Sequence, residues 1–229
     1  MMRGTVLHIT GSSSRCKSVK TERLSAAAPE VSDPEKELET LKAAIGRARV
    51  ASETAAGTKQ GEASSQNDAF RLLMRLAKGR EVFAEFLRSE SSDENIRFYL
   101  ACQDALSLSS HVTATTGAHE ELEFAIVMPK LRQVYHNFIH PGAPSQINME
   151  GETRLAVNQL FAELDEIQVK LLVDDGLRGD DYSAEGKKKY CGQLVGRFKE
   201  AQAHSFFIMR SDCFPRFLRS SICDRFVEG

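Results

Sequence analysis

Apolar residues recur three and four positions apart along most of the chain after Ser65, and this spacing predicts α-helices. Two shorter stripes come first: Phe70, Leu73, Met74 and Leu76, then Val82, Phe83, Phe86 and Leu87. The longest stripe covers about four turns and predicts one extended helix, through Val157, Leu160, Phe161, Leu164, Ile167 and Leu171. No segment alternates polar and apolar residues between hairpin turns, so the predicted fold class is an all-α bundle.

Polar residues and prolines indicate where these helices begin and end. Ser91 followed by Glu94 has the pattern of a capping box, which would open a helix at this serine. Pro129 predicts the start of another helix, because proline is favoured at the first helical position. The polar stretches 107–117 and 178–192 predict solvated loops between helices.

Residues 1–65 are poor in large apolar side chains and rich in Ala, Ser, Thr and Glu. Such a segment buries too little surface to offset its ordering entropy, so a largely disordered tail is predicted. Within it, Asp33 can cap a helix that begins at Pro34 and places Leu38, Leu41 and Ile45 on one face. A helix over residues 34–49 and a transient helix in a solvated tail remain alternatives.

The first residues of the tail carry an excess of positive charge. The cations there are Arg3, Arg15, Lys17, Lys20 and Arg23, and Glu22 is the only acid among the first 24 residues. This segment can contact an anionic membrane surface, and Cys16 within it can accept an acyl chain. An ordinary basic tail is the alternative.

Composition excludes several functional classes. Among 229 residues, 41% are hydrophobic and 27% charged, which is typical of an ordinary soluble protein. A net charge of −2 argues against nucleic acid as a partner. No apolar run approaches the ~20 residues that cross a bilayer, and no secretory signal is evident. The five cysteines include no Cys-x-x-Cys pair, so free thiols and a cytoplasmic location are expected.

The chain lacks motifs for enzyme chemistry. His136 and His140 are four positions apart, but Asn137 replaces the glutamate of a His-Glu-x-x-His zinc site and no third ligand is evident. No phosphate-binding glycine loop and no Gly-x-Ser-x-Gly elbow occurs. We therefore expect no metal, no cofactor and no catalytic residue, and a function that depends on surface recognition.

The segment from Val82 to Cys102, VFAEFLRSESSDENIRFYLAC, strongly resembles the RGS family, the regulators of G-protein signalling. Further blocks resemble the family's central helix, the turn after it and its closing helices, in the same order: Pro129–Ile139, Gln146–Glu150, Phe198–Gln202 and Met209–Ser220. Together they cover about residues 66–227, and the RGS-like domain is predicted to span 66–229.

The resemblance implies a bundle of about nine helices that binds the α subunit of heterotrimeric G proteins, Gα. Family domains bind the transition-state conformation of the Gα switch loops and so speed GTP hydrolysis, without a catalytic group of their own. We expect such a protein to act as a monomer and to attenuate G-protein signalling at the inner face of the plasma membrane.

Six residues match the positions that contact Gα in the family: Glu94, Asn95, Asn148, Ile208, Asp212 and Arg216. Structural roles remain open for several of them. Glu94 can be the capping-box acid, Asn148 a left-handed turn residue, and Asp212 and Arg216 a pair that braces itself at helical spacing.

Some features depart from the family pattern. Tyr99 stands where Trp is common, Ile208 replaces the usual Leu, and insertions are predicted at about residues 107–128 and 160–192. These insertions favour the second hypothesis, an RGS-homology scaffold without activating function. Cys102 matches a family cysteine that can be acylated, although a buried core thiol is the alternative there.

Overall fold

The computed structural model of the chain describes residues 33–53, 59–115, 120–173 and 184–229. These residues form nine α-helices and no strand, which confirms the predicted all-α fold. The helices are α1 (Pro34–Glu53), α2 (Lys59–Arg75), α3 (Ala77–Ser89), α4 (Glu94–Thr115), α5 (Glu120–Val134), α6 (Gly151–Val173), α7 (Ala184–Ile208), α8 (Phe214–Phe217) and α9 (Ser221–Glu228). Residues from Pro34 to Gly229 belong to one compact unit.

Two short π-helical turns continue these helices. Tyr135–Ile139 extends α5, and Met209–Cys213 joins α7 to α8. The wider turn is visible in the hydrogen bond from the His140 N–H to the Tyr135 carbonyl, five residues back, at 2.8 Å. One turn precedes the loop that carries Asn148, and the other contains Asp212.

The buried side chains form two clusters. The central cluster takes its residues from Phe98 to Ala201 and packs α4, α5, α6 and α7 together. The terminal cluster combines the segment Leu41–Ile96 with the segment Met209–Cys223. Helix α4 belongs to both clusters, because residues two positions apart on a helix face different sides.

Phenylalanine rings dominate the terminal cluster. Phe83 is fully buried, and its ring centroid lies 5.7 Å from that of Phe70 and 5.5 Å from that of Phe217, both edge-to-face. Such pairs contribute about 0.5–1.5 kcal/mol each beyond the area that they bury. These ring contacts therefore pack α8, near the C-terminus, against α2 and α3.

Helix α1 packs into the terminal cluster. Leu41, Ile45 and Ala48 are fully buried, as expected for one face of an amphipathic helix. At its far end Arg49 pairs with Asp224 of α9 at 2.7 Å. The helix is longer than the predicted 34–49. Residues 1–32, with the basic segment and Cys16, lie outside the described residues, so the tail prediction stays a prediction.

Three predicted helix boundaries are wrong. Helix α4 continues through the polar stretch to Thr115, because Leu108 still packs against the central cluster. Pro129 lies inside α5, where the burial of Val127 and Leu131 on either side offsets its missing N–H donor.

The third wrong boundary is the loop predicted to end at Gly192. Helix α7 begins at Ala184, so the basic run 187–189 belongs to its first turns. Cys191 and Leu194 are buried in the central cluster and anchor this start. The extended sixth helix is present as α6. The predicted start of the RGS-like domain at residue 66 and the two insertions stay predictions.

Candidate docking site

Arg216 on α8 is the centre of a charged bridge at the protein surface. Its guanidinium donates to the Asp212 carboxylate at 2.8 Å and contacts the Glu90 carboxylate at 2.5 Å. Desolvation lowers the pKa of Arg216, but the two carboxylates outweigh it and raise the pKa above its usual value. The Arg216 side chain is 44% exposed, and exposed pairs stabilise a fold by only ~0–1 kcal/mol. The bridge therefore orients Asp212 more than it stabilises the helix.

Glu90 was missed by the sequence reasoning. It follows the last residue of α3, where the negative end of the helix dipole disfavours an acid. This unfavourable position was a usable signal, because such an acid needs a cationic partner. Arg216 supplies it.

The start of α4 differs from the predicted capping box. The helix begins at Glu94, so Asp93 occupies the capping position, and its carbonyl accepts the Arg97 N–H at 3.2 Å. Ser91 has a positive φ of 53° and belongs to the preceding turn. Glu94 therefore lies at the first helical position and cannot return the bond to Ser91. The capping-box interpretation of Glu94 is wrong.

Asn95 lies beside Glu94 and is 6% exposed. Its amide nitrogen donates to the Glu94 carboxylate at 3.0 Å, while its amide oxygen has no hydrogen-bond partner in the described part of the chain. The bond orients the Glu94 carboxylate, which stays half-buried at the positive end of α4.

Asn148 is exposed between two buried neighbours, Ile147 and Met149. The loop that carries it returns along the end of α5, and the Ile147 N–H donates to the Phe138 carbonyl at 3.1 Å. Both buried side chains belong to the central cluster. The loop therefore presents the Asn148 amide to solvent from a backbone that is anchored on both sides.

Arg154 holds the same loop from α6 and was also missed. Its guanidinium donates to the Ile139 carbonyl at 2.9 Å and to the Ile147 carbonyl at 2.7 Å. A cation this close to a helix N-terminus opposes the helix dipole, and this feature of the sequence could have drawn attention to it.

Ile208 ends α7 and is half-buried. Its neighbour Phe207 is 52% exposed, and the Arg210 guanidinium lies 5.5 Å from the centre of that ring. Arg210 in turn donates to Asn67 of α2 at 3.1 Å. The apolar part of the site thus lies beside an aromatic ring that a neighbouring cation orients.

The structure joins some of the six predicted residues directly and others only through the fold. Asp212 pairs with Arg216, and Glu94 with Asn95. Among the described residues, no hydrogen bond connects Asn148 to any of the other five. The position of Asn148 relative to the other five residues is set by the fold. Its neighbour Ile147 belongs to the same buried cluster as Phe98, which lies near the start of α4.

Cys102 is fully buried in α4, and burial raises the pKa of its thiol well above the usual range. A thiol in this state is neither accessible nor ionised, which favours the alternative of a core residue. Its acylation stays a prediction that requires local opening of α4.

The described residues contain no group of three or more His, Cys, Asp or Glu side chains that could hold a metal ion. His136 and His140 lie on one surface, with ring centroids 5.6 Å apart. Among the described helices, none is long and apolar enough to span a membrane.

Comparison with known proteins finds a matching family and several relatives. A model of the Regulator of G protein signaling domain matches residues 69–226. Regulator of G-protein signaling 1 from Xenopus tropicalis is 32% identical over 150 residues, which cover 66% of this chain and 54% of that protein. Regulator of G-protein signaling 8 from Danio rerio is 28% identical over 155 residues, 68% of this chain and 65% of that protein. The chain spans about half the length of the first of these relatives.

Proposed function

Since the chain belongs to the Regulator of G protein signaling domain family, we propose that it is a GTPase-activating protein for Gα subunits. In this proposal it binds the GTP-bound subunit in a conformation close to the transition state of hydrolysis. The chemistry stays with residues of Gα. The protein regulates G-protein signalling by shortening the lifetime of the active state.

The observation that carries the proposal is the presentation of Asn148. Its amide offers a donor and an acceptor on an anchored loop, without a charge that would have to be desolvated on docking. A side chain held in place before binding loses little entropy on contact. Such an amide can orient a polar side chain or a water molecule of Gα at the moment of hydrolysis.

The charged bridge supports docking at a second point. Asp212 is held by Arg216 and presents an acceptor to backbone or side-chain donors of a partner loop. Glu94 presents a further acceptor from the start of α4, where Asn95 orients it. These acceptors together suit a flexible switch loop, whose backbone N–H groups need partners when the loop is ordered.

Acceleration by such a surface is a matter of differential binding. The barrier to hydrolysis falls only by the amount by which the protein prefers the transition-state switch conformation to the ground state. A domain that bound both conformations equally would dock without acceleration. That outcome defines the second candidate, a scaffold that uses the same face for binding alone.

The decisive experiment measures single-turnover hydrolysis of GTP preloaded on a panel of Gα subunits. We compare the wild type with Asn148→Ala and with Gln193→Ala, a control that truncates an exposed amide on α7. The wild type and the control should accelerate hydrolysis equally. Asn148→Ala should lose roughly 10- to 100-fold of the acceleration, the equivalent of one well-placed hydrogen bond.

Other outcomes separate the candidates. Tight binding to Gα carrying GDP and a phosphate analogue, without faster hydrolysis, identifies a scaffold. No binding to any Gα excludes both. Equal loss in Asn148→Ala and Gln193→Ala contradicts the assigned role of the loop.

We also propose that the protein acts as a cytoplasmic monomer that contacts the inner face of the plasma membrane through its basic residues 3–23. Sedimentation with vesicles tests this contact. Binding should rise with the content of phosphatidylserine and fall with added salt. Replacement of Arg15, Lys17 and Lys20 by Gln should reduce it, and unchanged binding would contradict the proposal.

A further inference from the structure

The guanidinium of Arg154 spans two backbone carbonyls that belong to different segments. One is the carbonyl of Ile139, the last residue of the π-helical turn, and the other is the carbonyl of Ile147 in the following loop. The bonds leave from different terminal nitrogens, Nη1 and Nη2. The side chain therefore ties the end of one helix to the loop that returns along it.

Each carbonyl has a reason to need this partner. The carbonyl of Ile139 lies at a helix end, where the backbone has no further intrahelical donor to offer. After it, His140 takes an extended conformation, with φ of −50° and ψ of 142°. The carbonyl of Ile147 belongs to the peptide group that connects Ile147 to Asn148. Because this group is planar, a bond to its oxygen fixes the plane from which Asn148 continues.

We propose that Arg154 is the positioning residue that orients the Asn148 side chain toward Gα. The inference rests on the function proposed above and extends it to a residue that faces the protein rather than the partner. The side chains of Ile147 and Met149 hold the loop against the core. Arg154 sets the rotation of the peptide group that connects Ile147 to Asn148. The direction of the Asn148 Cα–Cβ bond follows from that rotation.

Arginine suits this task better than lysine. The planar guanidinium carries donors in a fixed fork and can bond two carbonyls at once, whereas an ammonium is a single point of charge on a flexible stem. Lysine at this position keeps the positive charge and most of the apolar stem. It should satisfy one carbonyl and leave the other free to turn.

The test is a double-mutant cycle on the full chain. Single-turnover GTP hydrolysis on Gα is measured for wild type, Arg154→Lys, Asn148→Ala and the double variant, at saturating protein. Arg154→Lys should lower the maximal acceleration roughly tenfold, in line with the effect of a displaced polar contact. Its half-saturating concentration should stay within about threefold of the wild type, because most of the docking surface is unchanged.

The cycle separates positioning from a general structural role. If Arg154 acts through Asn148, then Arg154→Lys should have little further effect once Asn148 is Ala. Equal losses in both backgrounds, or no loss in either, would overturn the proposal. Arg132→Met is the matched control, since Arg132 is a partly buried arginine on α5 that pairs with Asp165 at 2.6 Å. It should retain full acceleration.

A second measurement reads the position of Asn148 without Gα. Arg154→Lys should shift the backbone amide NMR signal of Asn148, with the melting temperature close to that of the wild type. An unchanged signal would overturn the positioning role even if hydrolysis is accelerated. A shifted signal in a protein that accelerates no Gα would contradict the proposed function and leave the contact itself established.

Discussion

The two halves of the bundle are built from the chain in different ways. The central half takes its core from one continuous stretch, Phe98 to Ala201, and packs four long helices side by side. The terminal half combines the segments Leu41–Ile96 and Met209–Cys223, and its core is rich in phenylalanine. One half is local in sequence, and the other depends on contacts between distant segments.

The candidate docking residues are divided between these halves. Asn148 lies on a loop of the central half, whereas Asp212 and Arg216 belong to the terminal half. Helix α4 starts where the two halves meet and carries Glu94. A partner that contacts all of these positions therefore depends on how one half packs against the other. The predictions below compare the two halves, from the largest expected effect to the smallest.

The largest effect is expected from Phe83→Ala. This ring is fully buried and contacts the rings of Phe70, Phe86, Phe214 and Phe217. Its removal leaves a cavity between α3 and α8 and should lower the free energy of unfolding by about 3–5 kcal/mol. Urea denaturation followed by helical circular dichroism measures it.

The same experiment on Phe161→Ala gives the comparison with the central half. Phe161 is also buried and stacks on Tyr135, with ring centroids 4.3 Å apart. If the halves unfold as one unit, both variants should show a single transition at lower urea. Two separate transitions in either variant would contradict the hypothesis that the two halves unfold as one cooperative unit.

The next effect concerns helix α1, which lies outside the residues that match the family. Leu41 is fully buried in the terminal cluster, and Leu41→Ala should lower the free energy of unfolding by about 3 kcal/mol. Ala43→Ser, at an exposed position of the same helix, is the control and should change it little. A loss below about 1 kcal/mol would place α1 outside the cooperative unit.

A smaller effect should appear at alkaline pH. Burial raises the pKa of the Cys223 thiol from 9.0 to about 11, so the unfolded chain releases this proton first as pH rises. The stability that comes from keeping this thiol protonated is fully present below pH 9. At pH 10 the free energy of unfolding should be lower by about 1 kcal/mol. Cys223→Ala should therefore lose less stability between pH 8 and 10 than the wild type.

Cys102→Ala extends the measurement to the central half, because burial raises the pKa of that thiol as well. Urea denaturation at several pH values gives the slope of the free energy of unfolding against pH for each variant. Identical slopes for the wild type and Cys223→Ala would mean that the thiol is solvated in the folded protein.

The smallest effect is expected at Ser205, where α7 passes from the central half to the terminal half. Its hydroxyl is fully buried and has no hydrogen-bond partner in the described part of the chain. Ser205→Ala removes an unsatisfied polar group and should be neutral or stabilising by up to about 1 kcal/mol. Thermal unfolding measures whether Ser205→Ala raises or lowers the stability. A clear loss of stability would mean that this hydroxyl makes a hydrogen bond in the folded protein.

Helix positions followed from the sequence where apolar spacing is strong. The stripes of α3 and α6 are regular, and both helices lie where they were predicted. The errors at Pro129 and at the ends of α4 and α7 have one cause. Local signals favour a helix start at Pro129 and a loop at the other two places, but buried neighbours in the central cluster stabilise the helix.

The site was less accessible from sequence than the fold. The resemblance supplied Asn148 and Asp212, which lie on the surface, but not Arg154 or Glu90, which hold them in place. Glu90 pairs with Arg216 far along the chain, whereas Arg154 bonds the carbonyls of Ile139 and Ile147, only 15 and 7 residues before it. No helical spacing encodes either contact. Each residue is nevertheless a charge at the wrong end of a helix dipole, which is a physical reason to look for a partner outside its own helix.

The origin of the terminal half from two distant segments has a consequence for synthesis of the protein on the ribosome. Arg210 donates to Asn67, 143 residues earlier in the chain. Helices α2 and α3 therefore cannot pack against the segment Met209–Cys223 until the last helices have left the ribosome. We expect the central half to fold first, with the exposed phenylalanines of α2 and α3 as a natural binding site for chaperones meanwhile. The proposed docking surface would then be completed last, so a nascent chain would be unable to bind the proposed partner.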